Sequence, residues 1–305
     1  MARLLIILGV LGCVAAGIFW WLTQPIGLDQ ARLSNYPAGD ATAGERMFWA
    51  GGCASCHAAP EAKGDDKKVL AGGLPLKTPF GTFYAPNISS DSDKGIGSWT
   101  LQQFANAMQR GVSPSGEHYF PAFPYTSYAR MKDEDVASLF LYLKTLPESS
   151  EQSRDHDVGF PFNIRRGLGI WKRLYLNPSF VAEVDTSDPV MALGQYLVEG
   201  PAHCGACHTP RNAIGGPDTS RWMAGGPAVE GEGRIPNITP HEDGIASWSE
   251  SEIADSLATG FTPSYDSFGG SMTDVQENMA RLTAQDRAAI AAYLKAIPGH
   301  PSVKP

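Results

Sequence analysis

Two short stretches hold the residues best suited to chemistry: "GGCASCH", residues 51–57, and "AHCGACH", residues 202–208, which between them use four of the five cysteines. Each is a pair of thiols two residues apart with a histidine directly after. A dithiol redox pair needs a strand feeding a helix within a βαβ unit, and no such strand precedes either site. A zinc site needs four gathered ligands, but the pairs lie about 150 residues apart. A disulfide between the thiols of each pair accounts for neither histidine. Covalent haem uses every residue: both thiols add to the vinyl groups of a porphyrin and the adjoining histidine ligates the iron. On this reading Cys53, Cys56 and His57 fix one c-type haem, and Cys204, Cys207 and His208 fix another.

The sixth iron ligand then decides the chemistry, because a thioether raises the reduction potential and closes the iron, whereas an open or histidine-filled position suits other reactions. Ahead of the first closing helix the thioether read as ligand is Met131, with His118 in "GEHYFPAFPY" as its rival; Met108 lies within a helical run and reads as core. In the second half Met272, after a glycine pair, is the ligand expected, with Met279 as the alternative. Met131 has no counterpart at its own repeat position, which Leu282 occupies. Trp99 and Trp248 could donate an indole N–H to haem propionates or simply pack. Arg211, just after "CHTP", could pair with a propionate. "DSDKG" at Asp91 lacks the residues of a calcium loop and reads as a solvated turn.

The elements that position these residues come twice. "GERMFWAGGCASCH" is answered by "GQYLVEGPAHCGACH", "PNISSDSDKGIGSW" by "PNITPHEDGIASW", and "DEDVASLFLYLKTLP" by "AQDRAAIAAYLKAIP", at a nearly constant offset of 150 or 151 residues. The duplication implies an anchor over 1–24, a linker over 25–40, lobes over 41–147 and 188–298 separated by a connector over 148–187, and a tail over 299–305. Each lobe reads as a helix before the cysteines, a long Gly/Pro/Asn loop, and an amphipathic closing helix. In the first of these, Val136, Leu139, Phe140 and Leu143 share one face. No run alternates well enough to predict a sheet. In the connector, Ile164, Leu168, Trp171 and Tyr175 mark the face of a helix packed on a lobe, with Arg165, Arg166, Lys172 and Arg173 either solvated or paired with buried carboxylates.

At the N-terminus, 19 uncharged, mostly apolar residues follow Arg3, about 28 Å of helix, with Trp20 and Trp21 where an interfacial aromatic belt would lie. This predicts an uncleaved membrane anchor, with Cys13 a buried thiol inside it. The net charge of −8, without a long basic run, argues against nucleic acid as a partner.

With these motifs, and with "FPAFPYTSYARM", "CHTPRN" and "GGSM" ahead of "ENMARL", the chain resembles the membrane-anchored di-haem c-type cytochromes akin to the cytochrome subunits of bacterial periplasmic alcohol, aldehyde and sugar-acid dehydrogenases. The resemblance implies an all-α protein: an N-terminal transmembrane helix, then two tandem class I cytochrome c lobes, in which Gly44 packs against Tyr142 and Gly194 against Tyr293. It also implies methionine as the distal ligand, matching Met131 and Met272. The function expected is non-catalytic electron transfer, as a free carrier or as a dehydrogenase subunit. The donor would be a periplasmic dehydrogenase and the acceptor a terminal oxidase or soluble cytochrome. The haem domains would lie in the periplasm, at the bacterial cytoplasmic membrane. Two alternatives stand beside it: a di-haem redox enzyme such as a cytochrome c peroxidase, and a redox or gas sensor acting through a partner.

Overall fold

The computed structural model describes residues 1–303. Helix α1 (Ala2–Leu22) contains an 18-residue window of mean hydropathy 2.4, none of it buried, and is long and apolar enough to cross a membrane. A short α2 (Gln30–Ser34) leads to the first lobe, built from α3 (Ala41–Ala50), α4 (Cys53–His57), α5 (Leu101–Arg110), α6 (Tyr125–Tyr128) and α7 (Asp133–Leu143). The connector carries α8 (Leu168–Tyr175). The second lobe comprises α9 (Pro189–Glu199), α10 (Gly205–His208), α11 (Glu250–Thr259), α12 (Met272–Met279) and α13 (Ala284–Ala296).

Side-chain caps start these helices in matched places. Asp40 accepts from the Ala43 amide to begin α3. Thr100 with Gln103 and Ser249 with Glu252 form capping boxes on α5 and α11, directly after the two repeated tryptophans, and Thr283 with Asp286 does the same for α13. Val136, Leu139, Phe140 and Leu143 are all buried, as the helical spacing requires.

In each lobe the first and last helices cross at a glycine. A Cβ on Gly44 would stand 2.0 Å from the Ser138 carbonyl oxygen and 2.8 Å from Tyr142 Cβ; on Gly194 it would stand 2.1 Å from the Ala289 oxygen and 2.8 Å from Tyr293 Cβ. The expected glycine–aromatic pairs are therefore formed. Since these are contacts with backbone, which cannot rotate away, Gly194→Ala should force α9 and α13 apart and cost about 1–3 kcal/mol of stability. Thermal unfolding of the haem-loaded protein measures it, and a loss under a few tenths of a kcal/mol would contradict the crossing.

Small strands do occur, contrary to the sequence expectation. β1 (Pro75–Thr78) and β2 (Gly81–Tyr84) form a hairpin to which β3 (Asp157–Val158) adds antiparallel, and β4 (Gly226–Pro227) pairs with β5 (Arg234–Ile235). With two to four residues each, they are too short for alternation to register. Local bonds set the hairpin turn instead: Thr78 Oγ1 donates to the Gly81 carbonyl at 2.9 Å and accepts from the Phe80 amide at 3.1 Å.

The connector also departs from expectation. Trp171 is buried and Tyr175 half-buried, but Ile164 is exposed because the α-helix begins only at Leu168. Its cations bond backbone carbonyls rather than carboxylates. Lys172 is buried and its ammonium donates to Arg110 O at 2.7 Å and Gly111 O at 2.6 Å, closing the C-terminus of α5. Arg166 and Arg173 donate to Trp20 O at 2.5 Å and Leu22 O at 2.7 Å, doing the same for α1.

The lobes meet across a pseudo-two-fold interface. Arg46 of lobe 1 binds Asp286 of lobe 2 at 2.5 Å, and their repeat counterparts, Tyr196 and Asp135, are hydrogen-bonded in the reverse direction. Arg130 of lobe 1 lies 3.9 Å from the buried Glu199 carboxylate, while its counterpart Arg281 stands 5.2 Å over Trp49, the counterpart of Glu199. Residues i to j and j to i meeting in this way is the mark of an isologous interface. Burial by itself would raise the Asp286 carboxyl, but hydrogen bonds from Arg46 and the Thr283 cap hold it below the usual aspartate value.

Candidate haem sites

Each haem-binding loop follows its first helix at once. In lobe 1, α3 ends at Ala50 and Gly52 takes a left-handed φ of +61°, letting the chain turn straight into α4, which is the CxxCH stretch itself. In lobe 2 His203 takes the left-handed conformation, φ +40°, immediately before Cys204.

The histidines are oriented by the repeated Pro-Asn motifs. His57 Nδ1 lies 2.9 Å from Pro86 O, and His208 Nδ1 lies 2.8 Å from Pro236 O. A carbonyl only accepts, so Nδ1 carries the proton and Nε2 presents its lone pair, the tautomer that an iron ligand needs. The asparagine after each proline clamps that carbonyl in place. Asn87 Nδ2 donates to Ser149 O at 2.7 Å and Glu151 O at 2.9 Å, and Asn237 Nδ2 donates to His300 O at 2.7 Å. Both tie the loop to the chain beyond the closing helix. Lys144 and its counterpart Lys295 pin the "GIGSW" and "GIASW" turns, the first at Ile96 O (3.1 Å), the second at Ala246 O (2.9 Å).

Three observations test whether these residues fit a covalently held haem. All four motif cysteines are unpaired thiols, and burial raises Cys53, Cys56 and Cys204 to about 12, with Cys207 raised too, although every one keeps a partly accessible surface. Such thiols are deep but not sealed from the surface. Burial likewise lowers the pKa of His57 and His208, the proline carbonyls partly opposing it, so both imidazoles are neutral and able to ligate. Lastly, Arg211 Nε is buried without a partner, while its two terminal nitrogens hold Gly215 O at 2.7 Å and Ala206 O at 2.6 Å. Arg211 thus latches the second haem-binding loop and has one donor left for a propionate. The residues fit the group.

Trp99 and Trp248 are half-buried against the core, with no indole hydrogen bond to another described residue. Met131 and Met279 are each 3% exposed within the core, whereas Met272 is half-exposed at the start of α12. His118 is buried, its Nε2 donating to the Thr23 carbonyl at 2.9 Å at the end of α1.

The two sites abut. His203 Nε2 lies 3.3 Å from Gly51 O, Asn278 Nδ2 donates to Ser55 Oγ at 2.5 Å, and Cys207 is near enough to Cys56 to help raise its pKa. Sequence reasoning missed His203, Ser55 and Asn278. Only the repeat could have flagged them, since each lies in or beside a repeated motif.

The family profile described as "Cytochrome c" matches residues 41–147 and again 191–298. The chain is 53% identical over 284 residues to "Diheme cytochrome c-type" of Cereibacter sphaeroides, covering 93% of this chain and 94% of that protein. It is 37% identical over 260 residues to the fructose dehydrogenase cytochrome subunit of Gluconobacter japonicus and 36% identical over 283 residues to the gluconate 2-dehydrogenase cytochrome c subunit of Pantoea cypripedii. These matches span 84% and 88% of this chain but only 52% and 63% of those subunits. The chain belongs to the cytochrome c family, with two cytochrome c domains and two c-type haems.

Proposed function

We propose that the chain carries electrons from a periplasmic dehydrogenase to a respiratory acceptor, a terminal oxidase or a soluble cytochrome, while α1 holds it at the cytoplasmic membrane. The observation that carries this reading is the adjacency of the two haem-binding loops across the pseudo-two-fold. Electron transfer between centres needs closeness and rigidity rather than bond-making residues, and the Ser55–Asn278 and Gly51–His203 contacts supply both. Each haem, when bound, supplies a reversible one-electron iron couple. The protein's own residues orient the proximal imidazoles through Pro86 and Pro236, hold the thiols in small helices, and lock the lobes through Arg46, Asp135, Tyr196 and Asp286. The relatives named as dehydrogenase cytochrome subunits support the donor class. The peroxidase alternative finds no such support.

The test uses membranes from cells making the full chain, given ethanol, gluconate or fructose under anaerobic conditions and read by reduced-minus-oxidised spectra. At least one substrate should reduce this protein's haem, and oxygen should then reoxidise it. If dithionite reduces the haems but no dehydrogenase substrate does, the donor assignment fails.

A further inference from the structure

The distal ligand positions of the two lobes can be matched through the backbone hydrogen bonds of the loop that precedes each closing helix. The bridge Val112–His118 corresponds to Phe261–Ser267. Ser113 N to Glu117 O (2.9 Å) corresponds to Thr262 N to Asp266 O (2.8 Å), and Tyr119 N to Gly111 O corresponds to Phe268 N to Gly260 O, both 2.8 Å. All three matches share an offset of 149 residues. Four residues on from Tyr119 is Phe123, and four on from Phe268 is Met272.

Nearer the closing helix the offset becomes 151. Ala129 N to Tyr125 O (2.9 Å) answers Ala280 N to Gln276 O (2.8 Å), and Met131 N to Tyr128 O (3.0 Å) answers Leu282 N to Met279 O (3.1 Å). The second lobe thus has two extra residues between these points. Met131 stands where the other lobe has Leu282, and both are core side chains directly before the closing helix, 3% and 5% exposed. Phe123, like Met272, is half-buried. Its ring lies 5.6 Å from that of Tyr128, whose hydroxyl donates at 2.9 Å to Gly51 O, two residues before Cys53. It therefore stands in an aromatic cluster reaching the first haem-binding loop.

We infer that the two haems are inequivalent: Met272 closes the iron of the second, while Phe123 takes the equivalent place in the first and, having no lone pair to give, leaves that iron open to small neutral diatomic ligands such as carbon monoxide. Met131 is a core residue on this assignment, and His118 is engaged with the end of α1. Phe123 is neither acid nor base, so the open face offers binding and no proton chemistry of its own. The inference rests on haem occupancy and not on the identity of the donor, so its outcome leaves the proposed electron donor untouched.

The experiment titrates carbon monoxide into the dithionite-reduced full chain, with haem content measured independently. The wild-type protein should take up one carbon monoxide per two haems, Phe123→Met none, Met272→Leu two, and Met131→Leu one as in the wild type. A high-spin ferric signal from one of two haems should accompany the wild-type result. No uptake by the wild-type protein would overturn the inference, and uptake appearing only in Met131→Leu would give the ligand role to Met131. Should Phe123→Met fail to load haem, the wild-type and Met131→Leu titrations still decide.

Discussion

Replacing Cys204 and Cys207 together by alanine should halve the covalently bound haem, from two per chain to one, and unfold the second lobe. The reason lies in how little regular structure surrounds that site. Between α10 and α11 the lobe runs through about 40 residues with one 3-10 turn and two two-residue strands, so a bound macrocycle would supply much of the apolar packing there. A core built around a rigid apolar group loses its largest member with the two thioether bonds. The first lobe keeps its own haem but loses the partner of Arg46 and of Asp135, since Asp286 and Tyr196 both belong to the unfolded half. Removing such partly buried partners costs about 1–4 kcal/mol, so its unfolding midpoint should fall as well. Haem content by absorbance after denaturation, with a melt followed at the remaining haem band, checks both parts. Two haems retained would show that these cysteines are not the attachment points, and none retained would show that the lobes mature only as a pair.

The two CxxCH motifs and the duplication were legible in the sequence because they are local: a thiol pair with its histidine, and a motif written twice. The closing helices were legible for the same reason, Val136 to Leu143 repeating at helical spacing. What was hidden depends on contacts remote in sequence. Nothing in "PNIS" says that the Pro86 carbonyl faces His57 or that Asn87 fastens that carbonyl to residues 149 and 151. The connector cations were legible as cations, but Arg166, Lys172 and Arg173 meet backbone carbonyls at helix ends and Arg165 a loop carbonyl, partners that have no sequence signature. The ligand loop was legible in part. That Met131 is answered by Leu282 and not by Met272 was legible, but the place where the offset slips from 149 to 151 was not, since only the backbone hydrogen bonds of the loop locate it. The pseudo-two-fold between lobes also lay beyond sequence, since Arg46 and Asp286 are 240 residues apart.

Substituting Met272 by leucine should lower the midpoint potential of the second haem by on the order of 0.1 V or more, a shift well inside the ~0.8 V range that axial ligation spans. A thioether is a weak donor that favours the ferrous iron, and leucine fills the same volume without any lone pair, so packing is preserved while ligation is lost. The position allows this separation of effects: Met272 is the first residue of α12, half-exposed, and the helix is held by Gln276 bonded to Leu257 O and Ala258 O and by Asn278 bonded to Ser55, none of which involves the methionine. Packing should therefore contribute little to the change, while the reduced protein loses the ligation energy that the potential shift expresses, about 2 kcal/mol for each 0.1 V. Potentiometric titration at the two haem bands reads the effect directly. The first haem should hold its potential, because Met272 belongs to the second lobe while Phe123 and Tyr128 pack together in the first. If the two potentials fall together, or if only the first moves, Met272 is not the ligand of the second iron; a fall confined to the second identifies it and establishes which of the two centres is the better oxidant.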